Sequence, residues 1–188
     1  MRGRIAILAW IASAAICRPS DAPMDRATLR GLKAVNVAVD LSDAALESWG
    51  VSRTALAKQI EDRLNKAGIT VDRNAAEFVG LRVTAAHSKK TSYALCLALG
   101  AYQVVSLSRE ATVKTIAETW STESVVLVPP KMLDGAVRST VDELLDQFVR
   151  AFHEANPSAA RLEPPARRMM YGCFDFDDWR CWRPARPA

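Results

Sequence analysis

At 188 residues, 49% apolar and 24% charged, with 8 glycines and 9 prolines, the chain has the composition of a globular domain. These figures exclude collagen-like, low-complexity and wholly disordered classes, and the length suits one domain that buries its own core without staples. The net charge of +4 sits at the two ends: three leader cations and six tail arginines leave 16 cations against 16 acids in residues 23–160. A folded part of zero net charge argues against a nucleic-acid module, which needs a basic face with aromatic stacking positions.

Met1-Arg2-Gly3-Arg4 carries two cations, and residues 5–16 (IAILAWIASAAI) are uncharged. A short basic segment, a short apolar one and small residues after them form the signature of a secretory leader. We assign residues 1–22 to it, since the apolar run falls short of the ~18–20 residues that span a bilayer. Ser13-Ala14-Ala15 or Ala12-Ser13-Ala14 offers the small pair that signal peptidase requires, whereas Ser20-Asp21-Ala22 is followed by Pro23. Cys17 invites comparison with the acylated cysteine of bacterial lipoproteins. Bulky Ile16 stands where that motif has a small residue, so the expectation is export without lipidation.

Residues 33–41 alternate Val35, Val37, Val39 and Leu41 with smaller or polar residues, the period of a half-buried strand. Residues 42–50 predict a short helical turn capped by Ser42. Ser52 is then placed to cap a longer helix, with Val51 set to staple against Leu56. Leu56, Ile60 and Leu64 share one face of that helix, and Gly68 follows it where a left-handed residue is wanted. Residues 69–71 read as a short edge strand. Residues 78–87 and 93–107 read as strands joined by a turn at Ser88-Lys89-Lys90-Thr91, with Gly100 marking a bulge or bend. Residues 112–121 read as a further strand with Ile116 and Trp120 on one face. Residues 134–156 form a last helix striped by Val137, Val141, Leu144, Leu145, Phe148 and Phe152, ended by Asn156-Pro157.

Strands adjacent in sequence and joined by short turns pair antiparallel, and two amphipathic helices cover one face. The expected fold is an α+β two-layer sandwich. Its mostly antiparallel sheet has four or five strands, in the order β-α-β-β-β-β-α. Residues 23–157 form the domain, and residues 158–188 form a linker with an arginine- and aromatic-rich tail.

The element order and leader resemble small bacterial envelope proteins, among them the lipopolysaccharide-assembly lipoprotein and ABC-transport auxiliary lipoproteins. Residues 29–157 more closely resemble a set of uncharacterised small exported bacterial α+β proteins. The resemblance is carried by LAKQIEDRLNKAGI at 56–69, Glu118-Thr119-Trp120-Ser121, Asp146-Gln147-Phe148 and Asn156-Pro157. It implies an exported domain and brings no activity with it.

The chain contains no G-x-S-x-G, H-E-x-x-H, phosphate loop or G-x-G-x-x-G. Its two histidines, His87 and His153, lack partners at metal-ligand spacing, so no metal or cofactor is expected. His153 suits a helix C-terminus, where a cation meets the dipole favourably. Asp142, Glu143 and Asp146 read as a solvated acidic side of the last helix. Cys96, among small apolar strand residues, reads as a buried thiol. Cys173 and Cys181 are spaced to close a small loop in an oxidising compartment, the alternative being two free thiols. Tyr171, Phe174, Phe176, Trp179 and Trp182 form a candidate interaction tail. It would dock on the uncovered sheet face, bind a partner or touch an anionic membrane, the alternative being an unordered extension. The expected function is a non-enzymatic exported domain, periplasmic or on the surface, that binds an envelope protein or helps assemble a complex. The alternatives are an exported enzyme with a dispersed site and a peripheral membrane protein using the tail.

Overall fold

The computed structural model of the protein describes residues 21–43, 45–87 and 92–158. The expected leader up to residue 20 (with Cys17), the turn at 88–91 and the tail from 159 onward lie outside the described residues. So do Tyr171, Cys173, Phe174, Phe176, Trp179, Cys181 and Trp182.

A five-residue helix, α1 (Pro23–Ala27), precedes the first strand, β1 (Ala34–Leu41). A short α2 (Ala45–Ser48) and the longer α3 (Arg53–Lys66) follow. Next come β2 (Thr70–Val71), β3 (Phe78–His87), β4 (Tyr93–Leu107) and β5 (Glu110–Val128), and the long α4 (Leu133–Ala155) closes the domain. The five strands form one sheet in the order β2-β1-β3-β4-β5. β3, β4 and β5 pair antiparallel, as expected, but β1 runs parallel to both of its neighbours. The cause is the intervening chain. α2 and α3 carry the backbone to the starting end of β1 before β2 and β3 begin, as a crossover between parallel strands must.

α3 forms where its sequence placed it. The Ser52 side chain accepts from the Ala55 amide, Val51 and Leu56 are both buried, and Gly68 takes φ +78° at the C-terminal end. Capping of α2 differs from expectation. Asp43 Oδ1, not Ser42, accepts the Ala45 amide at 2.8 Å, while the Ser42 backbone amide donates to the Val83 carbonyl. The first turn of α2 is therefore held by a carboxylate, the better acceptor at a helix start.

Leu56, Ile60 and Leu64 of α3 and the whole expected stripe of α4 are buried against Val79, Leu81, Val83, Leu95, Leu97 and Leu99. Trp120 is fully buried on this helix-covered side, edge-on to Phe148 with ring centres 5.2 Å apart. Ile116 does not share that face; it is 55% exposed. Tyr102 pairs with Glu118 while Ala101 pairs with Trp120, so Thr119 is an extra residue in β5. One inserted residue reverses which side the later side chains point to. β5 also runs seven residues past the expected end at Ser121. Val125 and Leu127 there face away from the helices.

Asp142 and Asp146 are not merely solvated. Asp142 accepts from Gln59 Nε2 at 2.7 Å and Asp146 from Arg63 at 2.7 Å, tying α4 to α3.

Candidate functional site

Helices cover one face of the sheet, and the opposite face is built from small residues. β4 contributes Ala94, Cys96, Ala98 and Gly100; β3 contributes Gly80, Thr84 and Ala86; β1 contributes Ala38. Cys96 belongs to this face and is half-buried, where full burial was expected. The alternation that buries Leu95 and Leu97 under the helices turns Cys96 the other way. Along β5 the face is bordered by Val125, 68% exposed, and Leu127, 75% exposed. Apolar side chains this open at the edge of a sheet mark a surface suited to contact.

One end of the face is aromatic. Phe78 and Tyr102, directly paired across β3 and β4, stack with ring centres 4.6 Å apart and planes 7° from parallel. The Tyr102 ring lies across Gly80, where an added Cβ would come within 2.9 Å of Tyr102 Cε2. Glycine is required there for the ring to lie flat. Tyr102 donates its hydroxyl proton to Glu118 Oε2 at 2.6 Å. Burial, with the Glu118 carboxylate beside it, pushes the Tyr102 hydroxyl up to about 12. Beside the stack lies a cleft of about 210 Å³ lined by Ala38, Asp40, Phe78, Gly80, Arg82 and Tyr102. Arg82 stands 3.7 Å from Asp40 across its mouth.

Beyond Tyr102, β4 has left β3 behind and continues with β5 as a two-stranded ribbon. Gln103 to Leu107 and Glu110 to Ala117 pair only with each other among the described residues. The ribbon extends about five residues past the sheet, or roughly 17 Å. It exposes Val104 at 43%, Val113 at 41% and Ile116 at 55%.

A third arrangement lies at the N-terminus. Asp21 receives two hydrogen bonds from Arg26, at 2.8 and 2.7 Å, and one from the Trp120 indole Nε1 at 2.8 Å. Arg26 also pairs with Glu154 of α4. Burial alone would raise the Asp21 carboxyl, but the hydrogen bonds from Arg26 and Trp120 and the charges of Arg26 and Arg150 outweigh it. The carboxyl is held below the ordinary carboxylate range. Nothing in the sequence pattern foretold this clamp, because it joins residues 99 positions apart.

The histidines come to different ends. His153 Nε2 lies 3.1 Å from the Ala67 carbonyl, tying the last turn of α4 to the end of α3. His87 ends β3. The groove between α3 and α4 is lined by Lys58, Gln59, Asp62, Arg63, Arg138 and Asp142. Its charges are engaged in local pairs, including Lys58–Asp62, Arg63–Asp146 and Arg138–Asp134. Among the described residues no cluster of three or more His, Cys, Asp or Glu is arranged to hold a metal ion, and no helix is long and apolar enough to cross a membrane.

No family model matches the chain. No curated protein matches it either. Among solved structures it overlaps a PelC dodecamer from Paraburkholderia phytofirmans at 13% identity, covering 63% of this chain and 86% of that one, with a TM-score of 0.40. It also overlaps a minor lipoprotein from Acinetobacter baumannii at 13% identity, covering 65% of this chain and 94% of that one, with a TM-score of 0.28. Neither overlap is deep enough to carry a role across.

Proposed function

We propose that the chain is an exported, non-enzymatic domain of the cell envelope that binds a protein partner through the β4–β5 ribbon. One observation carries this reading: a pair of strands, detached from the sheet and exposing Val104, Val113 and Ile116, projects from a well-packed core. A two-stranded ribbon without a third strand or a helix behind it is marginal in water. Its outer edges offer unpaired backbone groups to an added strand, and its valines and isoleucine offer apolar anchors. The leader-like first residues support export. The Asp21 clamp supports removal of the leader upstream of Asp21, at the small residues around Ala14, because cleavage after Ala22 would discard the Trp120 partner.

Two measurements test the proposal. A fusion of residues 1–30 to a reporter active only outside the cytoplasm should be active, and cytoplasmic retention of the full-length protein overturns export. A photo-crosslinking residue placed at Val104 or at Ile116, which pair directly across the ribbon, should give a discrete adduct in cells, lost when the other of the two is changed to Glu. A control position at Lys58 on α3 should give none. No adduct from either ribbon position, or equal adducts from position 58, overturns the binding role of the ribbon.

A further inference from the structure

The sheet face opposite the helices has no cover among the described residues, although small and apolar side chains make up much of it. Ala94, Cys96 and Ala98 make a floor of small side chains, and Val125 and Leu127 form a raised apolar border. The Phe78–Tyr102 stack closes one end. Among the described residues the charged groups that the register turns to this side are Asp40, Glu118 and Glu123 against Arg82, with Lys114 farther out on the ribbon.

The place where the described chain ends decides what covers it. Asn156 donates to the Leu29 carbonyl at 2.9 Å and accepts from the Gly31 amide at 2.8 Å. The Thr28 hydroxyl in turn lies 3.4 Å from the Thr119 carbonyl. The end of α4 is thus held at the pole of the sheet where Tyr102 and Glu118 open onto the uncovered face. From Ser158 to Met169 is eleven residues, a reach of about 36 Å when extended. That exceeds the roughly 20 Å around one helix and one sheet layer. The segment that follows carries Tyr171, Phe174, Phe176, Trp179 and Trp182, rings of the size a floor of alanines accommodates. Within residues 169–182 Arg180 stands against Asp175, Asp177 and Asp178, and the other five tail arginines flank that segment, Arg161, Arg167 and Arg168 before it and Arg183 and Arg186 after it.

We propose that residues 169–182 fold back over this face, laying their aromatic rings on Ala94, Cys96 and Ala98 between the Phe78–Tyr102 stack and the Val125–Leu127 border. Arg167 and Arg168, just before the segment, then lie toward Glu118. The inference concerns a surface other than the ribbon and stands or falls independently of partner binding.

Hydrogen exchange on the full chain, without its leader, tests it. Peptides covering 169–182 should exchange at least tenfold more slowly than an unstructured segment, at a rate independent of protein concentration. The double substitution Val125→Lys with Leu127→Lys, at two exposed positions the core does not need, should abolish that protection and leave α4 unchanged. The same variant should raise the rate of Cys96 alkylation by N-ethylmaleimide, read from the Cys96 peptide, by about tenfold. Unprotected exchange of the tail overturns the proposal, as does protection that survives the double substitution. Protection that grows with protein concentration assigns the face to a second copy. Protection that arises only with phosphatidylglycerol vesicles assigns the tail to a membrane. Either result overturns the intramolecular cover.

Discussion

Replacing Phe148 by Ala tests the assignment of α4 to the sheet. The ring is fully buried and meets Trp120 edge-on at 5.2 Å, at the centre of the contact between α4 and β5. Truncating a buried phenylalanine to alanine typically costs about 3–5 kcal/mol through lost transfer energy and the cavity left behind. The edge-to-face pair adds about 0.5–1.5 kcal/mol beyond area, so a loss near 4 kcal/mol is expected. With a urea m-value of about 2 kcal/mol per molar, the midpoint should fall by about 2 M. The slope should stay unchanged, since the surface exposed on unfolding is nearly the same. Leu64→Ala, on α3, should cost about 2–5 kcal/mol by the same mechanism. An unchanged midpoint in both variants would refute the packing of the helices on the sheet.

The Asp21 clamp predicts that Asp21→Ala lowers stability by about 1–3 kcal/mol, chiefly by leaving the buried Trp120 indole without its acceptor; an unchanged urea midpoint refutes it. Because the folded-state carboxyl is depressed, its contribution is present above the ordinary carboxylate range and lost as pH falls through the folded value. The stability difference between the parent and Asp21→Asn should therefore be largest near neutral pH and shrink as pH falls through that value, whereas a difference that stays constant with pH refutes the contribution. The Tyr102 hydroxyl, raised to about 12, should appear as a late-titrating phenolate in ultraviolet absorbance, and Glu118→Gln should bring it down. The sign is opposite to that of Asp21: this contribution is full below the ordinary tyrosine range, near 10, and disappears as pH climbs toward 12. Titration of every tyrosine near 10 would remove the Glu118 contact. If the chain is recovered from an oxidising compartment without its leader, a Cys173–Cys181 disulfide should leave one free thiol per unfolded, non-reduced chain, whereas three free thiols refute it. The loop is short, so the bridge contributes no more than about 2–3 kcal/mol, and only where the tail is ordered. A Cys96-linked peptide in a non-reducing digest would replace that pairing and bring the tail onto the sheet.

The residues that made the fold legible are those whose reasons are local. Ser52, Leu56, Ile60, Leu64 and Gly68 specify α3 within seventeen positions, and the α4 stripe specifies its buried face in the same way. β3 and β4 begin and end where their alternation does. What escaped was decided by single insertions or by distant partners. The extra residue at Thr119 broke the period that placed Ile116 beside Trp120. Parallel pairing of β1 depends on the route taken by the intervening helices, which alternation does not encode. The border residues Val125 and Leu127 lie in a run (SVVLV) that lacks strict alternation, so the period that marks the strand ends before them. Of the candidate contact surfaces, the open face was legible as a consequence of two helices and one sheet. The ribbon was not, because exposed valines and isoleucine in a strand look the same in sequence as buried ones.

The ties between the two ends of the described chain bear on when the fold can form. Arg26 pairs with Glu154 over 128 positions, Asn156 reaches Leu29 over 127, and Trp120 meets Asp21 over 99. Contacts of such separation carry the largest loop-closure cost and raise contact order, which slows folding. A domain closed by its own first and last turns cannot complete itself while either is still being made or still threaded elsewhere. The final helix is therefore the element on which completion of the fold waits.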